Sequence, residues 1–282
     1  MIYISSACSK QQRIGRAIEE LADQGFKNIE LSGGTGYYGG YKSDILQLKI
    51  KYGLNFLIHN YFPPPQSPFI LNLASLDTAM YTKTLNQLRK ALELTRLFGS
   101  NKFGFHAGFF VDRPVSEIGK QFGKSLLYEK KEALKRFIDG FSILKNEFMD
   151  IQLYIENNCY SKSNSLVYGS QIPFMLLCYD DYLTLTNEID FKLLLDIGHL
   201  MVSANTCCLD FKQEFENMFD HSDYIHISCN DTLHDQNLGL TGKDELIGML
   251  ARRDWADKII TLEIYEGMEA LTATHSIISS FI

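Results

Sequence analysis

The chain has 282 residues, a length that suits one large α/β barrel or two small domains. Its composition, 45% hydrophobic and 22% charged, is ordinary for a soluble globular protein, and the net charge of -7 argues mildly against a nucleic-acid surface while leaving room for a local basic patch. No apolar run is long enough to span a membrane, and the first ten residues lack the basic and apolar regions of a signal peptide.

Short apolar runs alternate with longer amphipathic segments along the chain. The runs predict eight strands, at 2–5, 28–31, 54–58, 102–105, 151–155, 191–196, 224–227 and 258–262. Helices are predicted at 11–23, 43–51, 76–98, 127–147, about 170–178, 211–219, 244–250 and 268–281. Eight such units without a linker favour a single-domain (β/α)₈ barrel over residues 1–282. An open doubly wound sheet is the alternative, but the first strand–helix turn, ACSKQQ, lacks a nucleotide-binding fingerprint.

The segment 191–199, FKLLLDIGH, is the most informative stretch. Its apolar run is typical of a strand buried on both faces, and Gly198 predicts a turn, so Asp196 is expected at the carboxyl end of the strand with His199 just beyond it. An unpaired carboxylate is costly to bury, which favours a functional role for Asp196. A surface aspartate that caps the next helix is the alternative.

An acidic or imidazole side chain ends seven successive predicted strands. These residues are Glu30, His59, His106, Glu156, Asp196, His226 and Glu263. A barrel brings such ends together at one mouth, where the side chains would repel one another or lack partners unless a cation joined them. Any single one could be a helix cap or a core histidine, but that explanation is weak for the whole set. A nitrogen and oxygen ligand set without thiolate suits Mn²⁺, Zn²⁺, Mg²⁺, Fe²⁺ or Co²⁺.

The motifs around these residues resemble the xylose-isomerase-like barrel superfamily, which includes sugar isomerases, ketose 3-epimerases and endonuclease IV. The resemblance covers nearly the whole chain. The matching blocks are GFKNIEL (25–31), IHN (58–60), NLAS (72–75), FHAG (105–108), LYIEN (153–157), LLLDIGH (193–199), HISCND (226–231) and TLEIYEG (261–267).

The resemblance implies a metal-dependent enzyme. Four residues would hold one divalent ion, Mn²⁺, Zn²⁺, Co²⁺ or Mg²⁺, and they are Glu156, Asp196, His226 and Glu263. Glu156 and Glu263 would also move protons on either face of a sugar through a metal-stabilised enediolate. His59 and His106, with Glu156, match a second metal site of endonuclease IV. The residues expected to bind substrate are Glu30, His106, His199, Asp231 and Asp235.

Two departures from the family pattern stand out. After the seventh strand the family carries Asp-x-His, whereas this chain has Asp235 followed by Asn237, unless His234 takes that role beside Asp231. A neutral amide is a poor replacement for an imidazole ligand, so a third metal is not expected. The proline-rich insertion at 63–68 would reshape the entrance to the site. Both departures count against cleavage of damaged DNA.

Three functions therefore stay open. The first is a sugar or sugar-phosphate isomerase or epimerase with one metal, the second is an endonuclease-IV-like zinc phosphodiesterase that acts on abasic DNA, and the third is a barrel that binds a sugar without turnover. We expect a small-molecule partner and no membrane, and the oligomeric state cannot be read from the sequence. Six cysteines without a CxxC pair predict reduced thiols in a cytoplasmic protein. Arg113 could meet a phosphate but is expected to be a solvated surface charge.

Overall fold

The structure is a computed structural model that describes residues 1–117, 120–242 and 244–282. Eight parallel strands form a closed barrel in sequence order, from β1 to β8 and back to β1. The strands are β1 Ile2–Ser5, β2 Asn28–Leu31, β3 Asn55–His59, β4 Lys102–His106, β5 Gln152–Glu156, β6 Lys192–Asp196, β7 Ser222–Ile227 and β8 Ile259–Leu262. The predicted (β/α)₈ barrel is confirmed.

Ten helices surround the strands in the described ranges. They are α1 Ile14–Asp23, α2 Tyr41–Tyr52, α3 Thr78–Leu97, α4 Lys130–Glu147, α5 Lys162–Tyr168, α6 Tyr179–Thr186, α7 Ile197–Cys207, α8 Phe211–Asp220, α9 Glu245–Leu250 and α10 Met268–Ser279. Among them, none has both the length and the apolar character needed to cross a membrane. Short 3₁₀ turns cover Ser6–Cys8 and Val115–Glu117.

Two local predictions are wrong. No helix covers 170–178, because the chain there is extended and Phe174 forms an antiparallel bridge with Phe109; helices α5 and α6 lie on either side. Gly198 does not form a turn but lies in the first turn of α7. A Cβ at Gly198 would collide with Ser228 Oγ, so close packing of α7 against the chain after β7 explains the glycine.

The barrel interior has an apolar floor. Side chains alternate along each strand, so every second residue points inward. The inward cluster consists of Tyr3, Leu57, Tyr154, Leu194 and Tyr224, all of them buried. The outward residues of the strands join the main core between the barrel and the helices. The floor therefore closes one end of the barrel interior. The inward residues two positions further along these strands, toward their carboxyl ends, are polar.

Gly104 on β4 is the point where the floor has no spare volume. A Cβ built on Gly104 would lie 2.5 Å from Leu194 Cδ1 and 3.2 Å from His59 Cδ2. We expect Gly104→Ala to lower the free energy of unfolding by about 1–3 kcal/mol, because the added methyl overpacks the interior. Urea unfolding monitored by circular dichroism measures the change.

Gly248→Ala is the matched control. Gly248 lies exposed within α9, and a Cβ there meets no atom within 4 Å. Alanine has the higher helix propensity, so the control should be neutral or stabilising by up to about 1 kcal/mol. Equal unfolding midpoints for the two variants would contradict this description of the floor.

Candidate metal centre

A polar layer lies directly above the apolar floor. On β5, β6 and β7 the inward residue that follows Tyr154, Leu194 and Tyr224 by two positions is Glu156, Asp196 and His226, respectively. The ladder pairs Asp196 with His226 and His106 with Glu156 at the same level of the barrel. His59 ends β3, and Glu263 follows β8 immediately. The seven predicted strand-end residues therefore meet because strand alternation and barrel register place them there.

Three carboxylates surround one ring nitrogen of His226. Its Nδ1 lies 3.4 Å from Glu156 Oε1, 3.5 Å from Glu263 Oε2 and 3.8 Å from Asp196 Oδ2. His226 is fully buried, and neither its Nδ1 nor Glu156 Oε1 has a hydrogen-bond partner. The four residues assigned to the first metal by resemblance thus converge on a single point.

Glu30 holds His226 from the other side. The Nε2 of His226 donates to Glu30 Oε2 at 3.2 Å, and Tyr224 OH and Thr261 Oγ1 donate to the same oxygen. Glu30 is fully buried behind the imidazole and does not line the cavity described below. Its position lets it orient His226, and its carboxylate also forms a group of possible metal ligands with His59 and Glu263, all within 4.8 Å of one another.

A divalent cation fits this arrangement. When Nε2 of His226 carries the proton donated to Glu30, the lone pair of Nδ1 faces the three carboxylates. Buried lone pairs at such distances repel one another, and a positive charge among them removes the conflict. The donors are one imidazole nitrogen and three carboxylate oxygens, a set typical of Mn²⁺, Zn²⁺, Co²⁺ or Mg²⁺.

The chain after β6 fixes Asp196 and His199. Asp196 caps α7 by accepting the backbone N–H of His199 on Oδ1 at 2.7 Å, which leaves Oδ2 to face His226. Asn157 brackets the backbone of Asp196, donating to its carbonyl at 3.0 Å and accepting its N–H at 2.8 Å. One carboxylate oxygen of Asp196 therefore caps the helix, and the other faces the group of possible metal ligands.

A second group of ligand atoms shares Glu156. His59 Nε2 lies 2.7 Å from Glu156 Oε2, and His106 Nδ1 lies 2.9 Å from the same oxygen. The contact of His106 lacks hydrogen-bond geometry, so its Nδ1 has no hydrogen-bond partner. Glu156 thus turns Oε1 toward His226 and Oε2 toward the two other imidazoles, which is the arrangement of a carboxylate that can bridge two cations.

The pKa values reflect this crowding. Burial raises the pKa of Asp196 to about 7, and the charges of Glu156 and Glu263 add to the effect. Burial also acts to raise the pKa of Glu156, but the His106 and His59 imidazoles outweigh it and lower that pKa well below the ordinary value. For His226, burial favours the neutral ring, yet the Glu30 and Glu263 carboxylates raise its pKa well above the ordinary value.

A cavity of about 260 Å³ opens onto this centre. His106 and His199 form the part of its wall nearest the carboxylates, since both lie within 4 Å of Glu156. Asp235 lines the cavity as well and lies 3.5 Å from His199 Nε2. The predicted substrate-binding positions His106, His199 and Asp235 are therefore brought together at the wall.

The other predicted residues of this loop lie elsewhere. Asp231 is exposed and accepts hydrogen bonds from the backbone of Leu233 and His234, so it shapes a turn outside the cavity wall. Asn237 donates to Asp235 Oδ1 at 3.3 Å. Within the described residues, no cluster of candidate metal ligands includes Asp231, His234 or Asp235.

Sequence reasoning missed several residues that support the site. Asn157 follows Glu156 directly, but nothing in the sequence shows that its amide reaches the next strand. The Cys8 thiol donates to Leu262 O and accepts from Ile264 N at 3.2 Å, so it holds the backbone on both sides of Glu263. Arg113 is buried in the cavity wall, so the expectation of a solvated surface charge is wrong.

Known proteins share this fold. A crystal structure of a D-tagatose 3-epimerase-like protein aligns with a TM-score of 0.73 at 16% identity, over 99% of this chain and 96% of that one. D-psicose 3-epimerase with D-tagatose from Clostridium cellulolyticum aligns with a TM-score of 0.62 at 12% identity, over 100% of this chain and 90% of that one. Endonuclease IV from Thermus thermophilus aligns with a TM-score of 0.61 at 13% identity, over 99% of this chain and 98% of that one. At these identities the similarity is one of fold.

The sequence itself identifies the family. No curated protein sequence matches the chain. The family model described as xylose isomerase-like TIM barrel matches residues 18–278, which include every strand except β1 and all the candidate ligands. The chain therefore belongs to the xylose isomerase-like TIM barrel family.

Proposed function

We propose that this chain is a divalent-metal-dependent sugar isomerase or epimerase. One observation carries the proposal: Glu156 and Glu263 approach the same His226 nitrogen, at 3.4 and 3.5 Å, from different strands of the barrel. Two carboxylates at one cation site can move a proton between carbon atoms, whereas binding alone does not need two such acids. A barrel that binds a sugar without turnover is therefore the weaker alternative.

Each residue of the centre has a distinct part in this reaction. A bound divalent cation supplies polarisation of the substrate carbonyl and so acidifies the adjacent C–H. Glu263 is 7% exposed and its Oε1 lies 3.4 Å from Tyr265 OH, so it is placed to take a proton from that carbon. A proton delivered on the other face would come from Glu156, which would first have to gain one from solvent while Glu263 releases the proton that it took. His199, in the cavity wall, can donate a hydrogen bond to a substrate oxygen.

The fold comparisons support a small ligand of this class. Two of the structures that align over nearly the full chain are named as a 3-epimerase-like protein and a 3-epimerase with a bound ketose. The cavity above the centre is of a size that suits a monosaccharide and is lined by both aromatic and polar side chains. Ketoses are accordingly the first substrates to test.

A phosphodiesterase is the second candidate, and one observation favours it. His59 and His106 both contact Glu156 Oε2, and each joins Glu156 in a separate group of possible metal ligands, one with His226 and the other with His199. Phosphodiesterases use metal pairs to stabilise the attacking and leaving oxygens. Asn237 counts against the three-metal form of this chemistry, because it occupies the place where the family resemblance calls for an imidazole.

Glu263→Gln tests the proton transfer. The amide keeps the size of the side chain but cannot accept a proton, so we expect turnover of the active ketose to fall by about 10²–10⁴-fold while the protein stays folded. Ketoses are incubated with the Mn²⁺-loaded protein in D₂O, and NMR detects both the new isomer and deuterium at the exchanged carbon.

Glu269→Gln is the matched control, since Glu269 lies exposed on α10. It should keep full activity and full deuterium exchange. If Glu263→Gln retains near-normal activity with a normal circular dichroism spectrum, Glu263 is not the group that moves the proton.

His59→Ala separates the two candidate functions. Of the two imidazoles that contact Glu156 Oε2, His59 is the one that does not line the cavity, so its loss should slow a one-metal isomerase by less than about tenfold. A two-metal phosphodiesterase would lose most of its activity. Parallel assays with ketoses and with an oligonucleotide that contains an abasic site measure the isomerase and the phosphodiesterase activity of the same variant. Cleavage of the oligonucleotide by the unaltered chain, abolished in His59→Ala, would replace the isomerase proposal.

A further inference from the structure

Charged groups are segregated along the cavity wall. The carboxylate that lines the cavity, Asp235, lies beside His199 at the metal centre. The segment that follows β4 contributes two cations to another part of the wall, Arg113 and Lys120. A ligand that fills the cavity would therefore meet acidic groups at one part of its surface and basic groups at another.

The guanidinium of Arg113 is held in place within this wall. It is 8% exposed, its Nε donates to Glu117 Oε2 at 2.6 Å, its Nη2 donates to the same oxygen, and its Nη1 donates to Ser125 Oγ at 2.7 Å. The Phe122 ring lies 5.2 Å from its central carbon. Arginine has five N–H groups, and these contacts leave some of them free. A rigid guanidinium with free N–H groups is well suited to bind a planar or tetrahedral oxyanion.

The net charge of this part of the wall is positive. Arg113 and Lys120 contribute two positive charges and Glu117 one negative charge, which leaves a net charge of +1. Within the described part of the chain, Lys120 forms no ion pair. Uncharged donors lie close by: Asn164 accepts the N–H of Phe122 on Oδ1 at 2.7 Å, so its amino group is left to donate. Ser161 and Ser163 line the same cavity.

We infer that this part of the cavity binds an oxyanion carried by the substrate, either a phosphate or a carboxylate. The inference rests on the proposed function, because it makes the substrate an anionic ketose, a sugar phosphate or a keto sugar acid. The metal centre then takes the carbonyl end, and Arg113, Lys120 and Asn164 take the anionic end. Glu117 orients Arg113 and lies outside the wall itself.

Isothermal titration of the Mn²⁺-loaded full chain tests the inference. The titrants are D-fructose, D-fructose 6-phosphate, D-fructuronate and inorganic phosphate. At least one anionic ketose should bind about tenfold or more tightly than D-fructose, because a hydrogen bond to a charged group adds this much. Preference for the phosphate or for the carboxylate identifies the source of the oxyanion. The preference should decrease as salt is added.

Lys120→Gln should remove most of this preference while D-fructose binding stays unchanged. Lys124→Gln is the matched control, because Lys124 is exposed on the same segment and does not line the cavity. Arg113→Lys keeps the charge but loses the fork of donors, and it should also weaken binding of the anionic ketose. Equal affinity for neutral and anionic ketoses, or binding of no anion at millimolar concentrations, would overturn the inference.

The outcome separates this inference from the proposed function. Binding of an anionic ketose through Lys120 without turnover of any ketose would disprove the isomerase and leave the anion site standing. Turnover of neutral and anionic ketoses at equal KM would support the isomerase and disprove the anion site.

Discussion

The crowding of three carboxylates around one buried imidazole nitrogen is the constraint on which the rest of this structure depends. The candidate ligand atoms of Asp196, His226 and Glu263 all lie within 4.8 Å of one another. Two like charges at that distance repel by about 3–4 kcal/mol at the effective dielectric constant of a protein interior. Burial, together with the Glu156 and Glu263 charges, raises the pKa of Asp196 to about 7, and a proton on Asp196 relieves part of this repulsion. A divalent cation relieves all of it and leaves each carboxylate ionised.

The supporting contacts explain why the side chains do not simply move apart. Glu30 orients the imidazole of His226 from behind, and Asn157 fixes the backbone of Asp196 from the neighbouring strand. Asp196 also begins α7, so its carboxylate cannot rotate away without losing a helix cap. Gly198 permits the close approach of α7 to the chain after β7. Much of the local sequence therefore serves to keep unfavourable charges together, as expected of a preorganised site.

The fold was predictable because eight short apolar runs alternate with amphipathic segments, and seven of these runs carry an acidic or imidazole residue at or next to their carboxyl ends. The convergence of the strand-end carboxylates and imidazoles followed from the same pattern, whereas the four proposed metal ligands were singled out by the family resemblance. The roles of individual residues did not follow from the pattern, because they depend on contacts between distant segments. Glu30 lies one residue before the end of β2, at the level of Leu57, and its carboxylate contacts Nε2 of His226. Asp231 carries a family motif but forms an exposed turn. Arg113 is buried because loops without a periodic pattern fold over it. The prediction of a helix at 170–178 was wrong because the hydrophobic periodicity of that loop is weak.

The most direct test of the account is the metal content per chain, measured by elemental analysis on protein purified without chelator. The account predicts one divalent ion per chain, lost in Asp196→Asn and kept in Asp231→Asn, whose side chain lies outside the site. Two ions per chain, with one lost in His59→Ala, would shift the balance to the phosphodiesterase. Absence of any bound ion after reconstitution with Mn²⁺, Co²⁺, Zn²⁺ and Mg²⁺ would contradict the central claim that the polar layer of this barrel is a cation site.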